Sequence, residues 1–431
     1  MAAALKANNY RKLKIFIFLA AVFTFIMFWA CVQPFNVSPD EEMRYDIVDF
    51  IVRHGYLPNG ADPEIRDELW GFSYAFYPIL SYIIMAIPAK IVSFFTTDSM
   101  AMVIAARIVN AVFGTLMAYF VLRISEMLFK DRSRYVFIAL AVLLPGVVFV
   151  HSYVNNDSLA LFSTAWIAYA WVRAMKEGWT KGICVHLGFA IGICALSYFN
   201  AYGFILCSII LFFTTILIGN KVENKAKVVL TRTLIIVLIV FAVSLWWFIR
   251  NYILYGDPIG WSITSKYAEM YAADGFKPSQ RLNLAQQGFG PIQLMKYDGA
   301  FAGNWTISVI ISFIGTFGYL NLFMPTWLTV IYAVIIFAGA VGIFTCLIRT
   351  FRLTVKTDKG REFNRMGMFN WCMLFVIIIT IALLIYYNLY SDLQAQGRYL
   401  LPMVIPLMYF VTKGIKILLD LFVKNEKVRS G

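Results

Sequence analysis

The sequence predicts an all-α polytopic membrane protein with about ten transmembrane helices and interfacial helices in its outer loops. Three observations predict it. Of 431 residues, 61% are hydrophobic and only 14% charged, whereas soluble domains carry roughly 25% charged residues. Ten stretches are apolar over a length suited to crossing a bilayer, which takes about 20 residues. The loops between them carry a one-sided charge pattern. The net charge of +13 follows that topology and does not mark a nucleic-acid surface.

The spans are 15–34, 101–129, 135–154, 158–174, 182–200, 203–219, 229–249, 326–348, 368–390 and 399–420. The first lacks a small-residue cleavage site and reads as a span, not a signal peptide. Two more apolar stretches are placed as interfacial or re-entrant, where irregular backbone must lie against protein or water. These are 74–95, rich in Tyr, and 305–325, with Gly315, Gly318 and Asn321. With the N-terminus in the cytoplasm, segments 1–14, 130–134, 173–181, 220–232, 349–365 and 413–431 face inward. They hold 25 Lys/Arg against 7 Asp/Glu, while the first outer loop, 35–100, holds 4 against 10. A spanning 74–95 would turn the basic loops 130–134 and 220–232 outward. Both termini are therefore placed inside, and the basic tail 424–431 suits contact with anionic lipid. The chain divides into a transmembrane module 1–250, an outer loop 251–325 with interfacial segments, and C-terminal helices with a short tail, 326–431. The six cysteines lack metal-ligand spacing and read as small buried hydrophobes. No internal repeat or soluble domain is visible.

Ser38-Pro39-Asp40-Glu41-Glu42-Met43-Arg44-Tyr45 reads as a helix start. Ser38 is placed as N-cap, Pro39 at the first helical position and Glu41 at the capping-box position. Met43, Ile47, Phe50 and Ile51 then give an apolar stripe, and Gly55 and Pro58 stop the helix. An amphipathic helix over 39–54 is expected on the membrane surface, with three carboxylates in its first turn. One Glu would serve the helix dipole, and three adjacent acids repel one another.

The topology gathers the other unusual polar residues on the same side. They are Asn155-Asn156-Asp157 between the third and fourth spans, Arg250-Asn251 after the seventh, and Asp392 to Tyr399, with Gln396 and Arg398, before the tenth. Asp157 has the simpler reading of a helix cap, and Arg250 that of a snorkelling residue. Arg398 suits phosphate, because its planar fork donates bidentate hydrogen bonds. His54 and His151 read as structural. Trp70, Tyr74, Tyr77 and Trp261 read mostly as interface anchors.

These pieces resemble the GT-C superfamily of membrane glycosyltransferases and, more narrowly, the bacterial membrane-protein family DUF2142. The matching residues are Ser38-Pro39-Asp40-Glu41, Asn155-Asn156-Asp157-Ser158-Leu159-Ala160, Arg250-Asn251 with Tyr255-Gly256-Asp257-Pro258-Ile259-Gly260, the Ser312 to Asn321 segment, and Gln396-Gly397-Arg398-Tyr399-Leu400-Leu401-Pro402. The resemblance implies a GT-C fold in a bacterial plasma membrane and a polyprenyl-phosphate sugar as donor. It implies inverting transfer; the acceptor is expected to be a hydroxyl of a cell-envelope glycan or of a lipid-linked acceptor, on the outer face that the loop charges define. Residue by residue it makes Asp40 the general base with Glu41 beside it, and puts Arg398 and Arg250 on the donor phosphate. Asn156, Asp157, Gln396, Tyr399, Glu42 and Arg44 then contact substrate. Glu42 stands where many relatives have Pro, so Glu41 or Glu42 can share the base role. Arg44 stands where many have His, and can pair with the acids. Hard oxygen ligands on Asp40, Glu41 and Asp157 suit Mg²⁺ or Mn²⁺, but no metal is assumed. Two other readings stay open: a flippase or transporter for a lipid-linked saccharide, and a non-catalytic partner in envelope assembly.

Overall fold

The computed structural model describes residues 2–219, 224–357 and 360–422; the basic tail 424–431 lies outside them. The first part of the chain forms α1 (Ala2–Val32), α2 (Glu41–His54), α3 (Leu80–Ser93), α4 (Ser99–Leu128), α5 (Ser133–Val142), α6 (Pro145–Val150), α7 (Asp157–Glu177), α8 (Lys181–Ala195), α9 (Gly203–Leu217) and α10 (Lys225–Tyr255). There follow α11 (Trp261–Tyr271), α12 (Pro291–Met295), α13 (Trp305–Gly315), α14 (Thr326–Thr345), α15 (Leu347–Thr350), α16 (Arg365–Tyr390) and α17 (Val404–Phe422). Two small antiparallel hairpins complete the described residues. Strand β1 (Thr316–Phe317) pairs with β2 (Leu322–Phe323), and β3 (Thr354–Thr357) with β4 (Gly360–Phe363).

Each of the ten apolar stretches is helical. Seven of the helices are long and apolar enough to cross a membrane by length and composition, among the described residues. The other three stretches are the broken pair α5–α6, the largely buried α7, and the 15-residue α8. Pro145 opens α6 and separates it from α5, because proline cannot donate the N–H a continuous helix needs. In α7, Ser158, Ser163 and Thr164 are all buried, so protein packing holds this helix more than lipid does.

Both stretches read as interfacial or re-entrant are short. Residues 74–95 form a 3-10 turn at Tyr74–Phe76 and then α3, 14 residues long with Pro88 inside. At 1.5 Å per residue that is about 21 Å, short of the roughly 30 Å hydrocarbon core. Residues 305–325 form the 11-residue α13 and the β1–β2 hairpin.

The apolar stripe of α2 packs on α3 and the turns of the first loop, with Met43, Ile47 and Phe50 buried and Ile51 partly buried. The start of α2 departs from expectation. Ser38 is not the N-cap: its hydroxyl is buried without a partner. Asp40 occupies the cap position, with φ 60 and ψ 20 and no capping hydrogen bond from its side chain. The capping box fails because a buried arginine draws the Glu41 carboxylate inward.

Among the cysteines, Cys184, Cys194, Cys207 and Cys372 are buried as expected, whereas Cys31 lies exposed on α1. The histidines fill structural places. His54 meets Glu64 at 3.0 Å, and His151 is buried against Ser158.

Candidate functional site

Three consecutive carboxylates diverge at the start of α2, since successive helical side chains point about 100° apart. Glu41 points into the bundle. Arg107, on α4, donates from Nε to its Oε1 and from Nη2 to its Oε2, both at 2.8 Å. The Val154 and Asn36 N–H groups donate to the same two oxygens at 3.0 and 3.1 Å. Arg107 also donates to the carbonyls of Ala30, Gln33 and Pro34. Neither side chain of this pair is exposed at all. Glu41 is therefore closed off as the second base expected beside Asp40, because every oxygen already accepts. Glu42 turns the opposite way, to the surface, where it meets Asn36.

Asp40 takes a third direction. The left-handed backbone costs an L-residue about 1–2 kcal/mol, though Asp tolerates it better than most. The anchored Glu41 next door holds that turn in place. Arg398 Nη2 donates to Asp40 Oδ2 at 2.9 Å, and Arg44 Nη2 approaches the same oxygen at 3.5 Å. Arg44 Nη1 donates to Asp157 Oδ2 at 3.1 Å. The four groups thus form an alternating chain, Arg398–Asp40–Arg44–Asp157, whose formal charges cancel. Its walls are tyrosines. The Tyr74 ring lies 5.0 Å from the Arg44 guanidinium. The Tyr399 hydroxyl is 3.3 Å from Arg398 and that of Tyr153 3.5 Å, and the Tyr198 ring stacks on Tyr399. Asp40 is the most exposed member at 24%, against 4% for Arg44, 6% for Asp157 and 11% for Arg398. Burial raises the proton affinity of Asp40, but the Arg398 and Arg44 charges outweigh it and hold the carboxyl below its ordinary value.

Local structure explains how each partner arrives. Asp157 is free for Arg44 because Asn155 does the capping of α7: its Oδ1 accepts from the Ser158 N–H at 2.9 Å. Asn156 donates weakly to the Ser197 carbonyl. Arg398 is placed by Gly397, whose N–H donates to Ser312 Oγ at 2.7 Å. A Cβ at Gly397 would stand 2.0 Å from the Phe313 nitrogen, so the Gln-Gly-Arg segment can lie on α13 only with glycine there. Gln396 faces Gln394, and its own Oε1 is buried without a partner.

Arg250 is not brought to this cluster. Its Nη2 donates to the Pro58 carbonyl at 2.6 Å, and its guanidinium lies over Trp247. The first loop folds back onto α10 there, with the Tyr255 hydroxyl bonded to Asn59 and Gly60. Asp257 accepts four backbone N–H groups at the start of α11, and Gly260, at φ 85, leaves room for the Phe76 carbonyl. The Tyr255 to Gly260 segment is thus a stitch between loops.

The sequence reading missed two residues. Tyr74, taken for an interface anchor, is part of the cluster. Arg107, the hub behind Glu41, carried an available signal: an ionisable residue inside a spanning segment. Nor do the carboxylates fit a metal. Asp40, Glu41 and Asp157 each face a guanidinium, and no three metal-ligating side chains converge among the described residues.

A family model described as "Predicted membrane protein (DUF2142)" matches residues 51–407. The chain belongs to the DUF2142 family. The matched region takes in Asp157 and Arg398 but begins after Asp40. No curated protein matches this DUF2142 chain in sequence. Among solved structures it is similar to the archaeal oligosaccharyltransferase AglB from Archaeoglobus fulgidus, in complex with an inhibitory peptide and a dolichol-phosphate. The TM-score is 0.53 at 14% identity, over 94% of this chain and 50% of AglB. The apo form of the A. fulgidus enzyme gives 0.52 at 13% identity, over 95% and 51%. ArnT from Cupriavidus metallidurans bound to undecaprenyl phosphate gives 0.41 at 14% identity, over 93% and 78%. The DUF2142 chain has the GT-C fold and spans about half the length of AglB.

Proposed function

We propose that this protein is a membrane glycosyltransferase. It moves a monosaccharide from a polyprenyl-phosphate donor to a hydroxyl of a cell-envelope glycan, at the outer face of a bacterial plasma membrane. The carrying observation is the Arg398–Asp40–Arg44–Asp157 chain, with its carboxylate at Asp40 the most open to solvent. The GT-C fold and the dolichol-phosphate in the AglB complex support a lipid-phosphate donor. The positive-inside pattern supports both termini in the cytoplasm.

In this reading the acceptor oxygen attacks the anomeric carbon from the face opposite the phosphate. The bond from that carbon to the phosphate oxygen breaks, and the anomeric centre inverts. The acceptor proton passes to Asp40, a general-base contribution of about 10²–10⁴-fold. Arg398 holds the departing phosphate, stabilising charge where it develops. Arg44, fixed by Asp157, keeps Asp40 oriented. Tyr399 and the Gln396 amide line the approach, and Glu41 serves as scaffold. Because each carboxylate already faces an arginine, we take the transfer to proceed without a divalent cation held by Asp40, Glu41 and Asp157.

The test is a proteoliposome assay with a labelled polyprenyl-phosphate monosaccharide and a crude envelope-glycan acceptor. Label entering the acceptor with wild type, and falling at least about 10²-fold in Asp40→Asn, supports the reading. Label crossing the bilayer still on its lipid, equally in both proteins, would make the protein a flippase and remove Asp40 from the base role.

A further inference from the structure

The two arginines on Asp40 are not equivalent. Arg44 is locked, since its second partner, Asp157, is a buried carboxylate 3.1 Å away. Among the described residues Arg398 has one charged partner, Asp40. Its other hydrogen-bond contacts are neutral oxygens at 3.3–3.5 Å, on Tyr399, Tyr153 and the Pro39 carbonyl, and its guanidinium lies 5.1 Å from the Tyr399 ring. The Nε of each arginine is buried without an acceptor among the described residues, so the difference between them lies in the second carboxylate that Arg44 has and Arg398 lacks. Removing Arg398 from Asp40 leaves the carboxylate the Arg44 charge, 3.5 Å away. Removing Arg44 would strip Asp157 as well.

We infer that Arg398 is an exchangeable partner: the donor phosphate takes the Arg398 guanidinium from Asp40, and only then is Asp40 free to receive the acceptor proton. This inference rests on the proposed function and adds to it an order of events. Without donor, Arg398 occupies the base and the site is idle toward water and acceptor. With donor, one guanidinium has moved from a carboxylate to a phosphate, and the base is released at the moment its substrate is present. Asp40 and the phosphate therefore compete for Arg398.

Competition gives a result opposite to that of an ordinary binding residue. Asp40→Asn removes the competitor and should bind the lipid phosphate more tightly than wild type. The probe is farnesyl phosphate, titrated by calorimetry into the full chain in nanodiscs. The expected result is a Kd about tenfold lower for Asp40→Asn, worth about 1.4 kcal/mol. Asp40→Gly, which suits the left-handed backbone at this position, should tighten binding too. Arg398→Gln should weaken it by more than about tenfold, and Asp40→Asn should give no gain in an Arg398→Gln background. An unchanged or weaker Kd in both Asp40 variants, with Arg398→Gln still weakened, would overturn the exchange while leaving Arg398 on the phosphate. Indifference of all the variants, or no binding by wild type, would overturn both the exchange and the donor reading.

Discussion

Asp40 and Glu41 are consecutive residues, each facing an arginine, yet their pairs differ in every respect that matters for chemistry. The Glu41–Arg107 pair is fully buried, bidentate, and saturated by two backbone N–H groups and three carbonyls. The Asp40–Arg398 pair is single and partly exposed, with a second arginine, Arg44, 3.5 Å from the same Asp40 oxygen and only neutral oxygens as further partners on the Arg398 side. A saturated pair resists change and fixes geometry. An unsaturated one can trade a partner. The protein sets them one residue apart, so that the rigid pair holds the backbone from which the exchangeable one projects.

The sharpest way to break this comparison is to cut each pair. Arg107→Ala leaves a buried carboxylate unpaired and should cost about 3–5 kcal/mol, seen as a large fall in thermal stability. Asp40→Asn should cost little stability and most of the transfer activity. Equal losses of stability in the two variants would erase the distinction. A smaller effect is expected from Gly397→Ala. Its Cβ would meet the α13 backbone at Phe313, and relieving the clash should cost about 1–3 kcal/mol and weaken lipid-phosphate binding by moving Arg398. Arg250→Ala comes next. It loses the Pro58 hydrogen bond, about 1–2 kcal/mol, with no change in lipid-phosphate affinity; a large drop in that affinity would restore Arg250 to the donor site.

The smallest effect concerns the exposed side of α2. Burial, then the charges of Glu42, Asp49 and Asp67, push the Asp46 carboxyl up to about 7. A carboxyl raised in the folded state favours folding most when protonated. Its contribution is complete below the ordinary carboxylate range, near 4, and is lost as pH rises through about 7. Asp46→Asn should therefore melt like wild type at pH 4 and higher than wild type at pH 8. A melting difference that does not change with pH would contradict this.

Hydropathy and loop charge were enough to place the helices, because a bilayer imposes length and apolarity on each span separately. The same local signals put Asp40, Arg44, Asp157 and Arg398 on one face. They failed where a contact depends on distant chain. Nothing near Arg250 announces that the first loop returns to cover it. Nothing in Ser38-Pro39-Asp40-Glu41 announces that Arg107, 66 residues away, claims Glu41 and leaves Asp40 at the cap position. Gly397 was legible as part of a motif, but its reason lies in the closeness of α13.

The most direct test of the account is a cryo-EM structure of the protein in nanodiscs with a polyprenyl phosphate bound. The account predicts the phosphate within about 3 Å of the Arg398 guanidinium, Arg398 withdrawn from Asp40, and the Arg44–Asp157 and Arg107–Glu41 pairs unchanged. A phosphate seated elsewhere, with Arg398 still on Asp40, would contradict it.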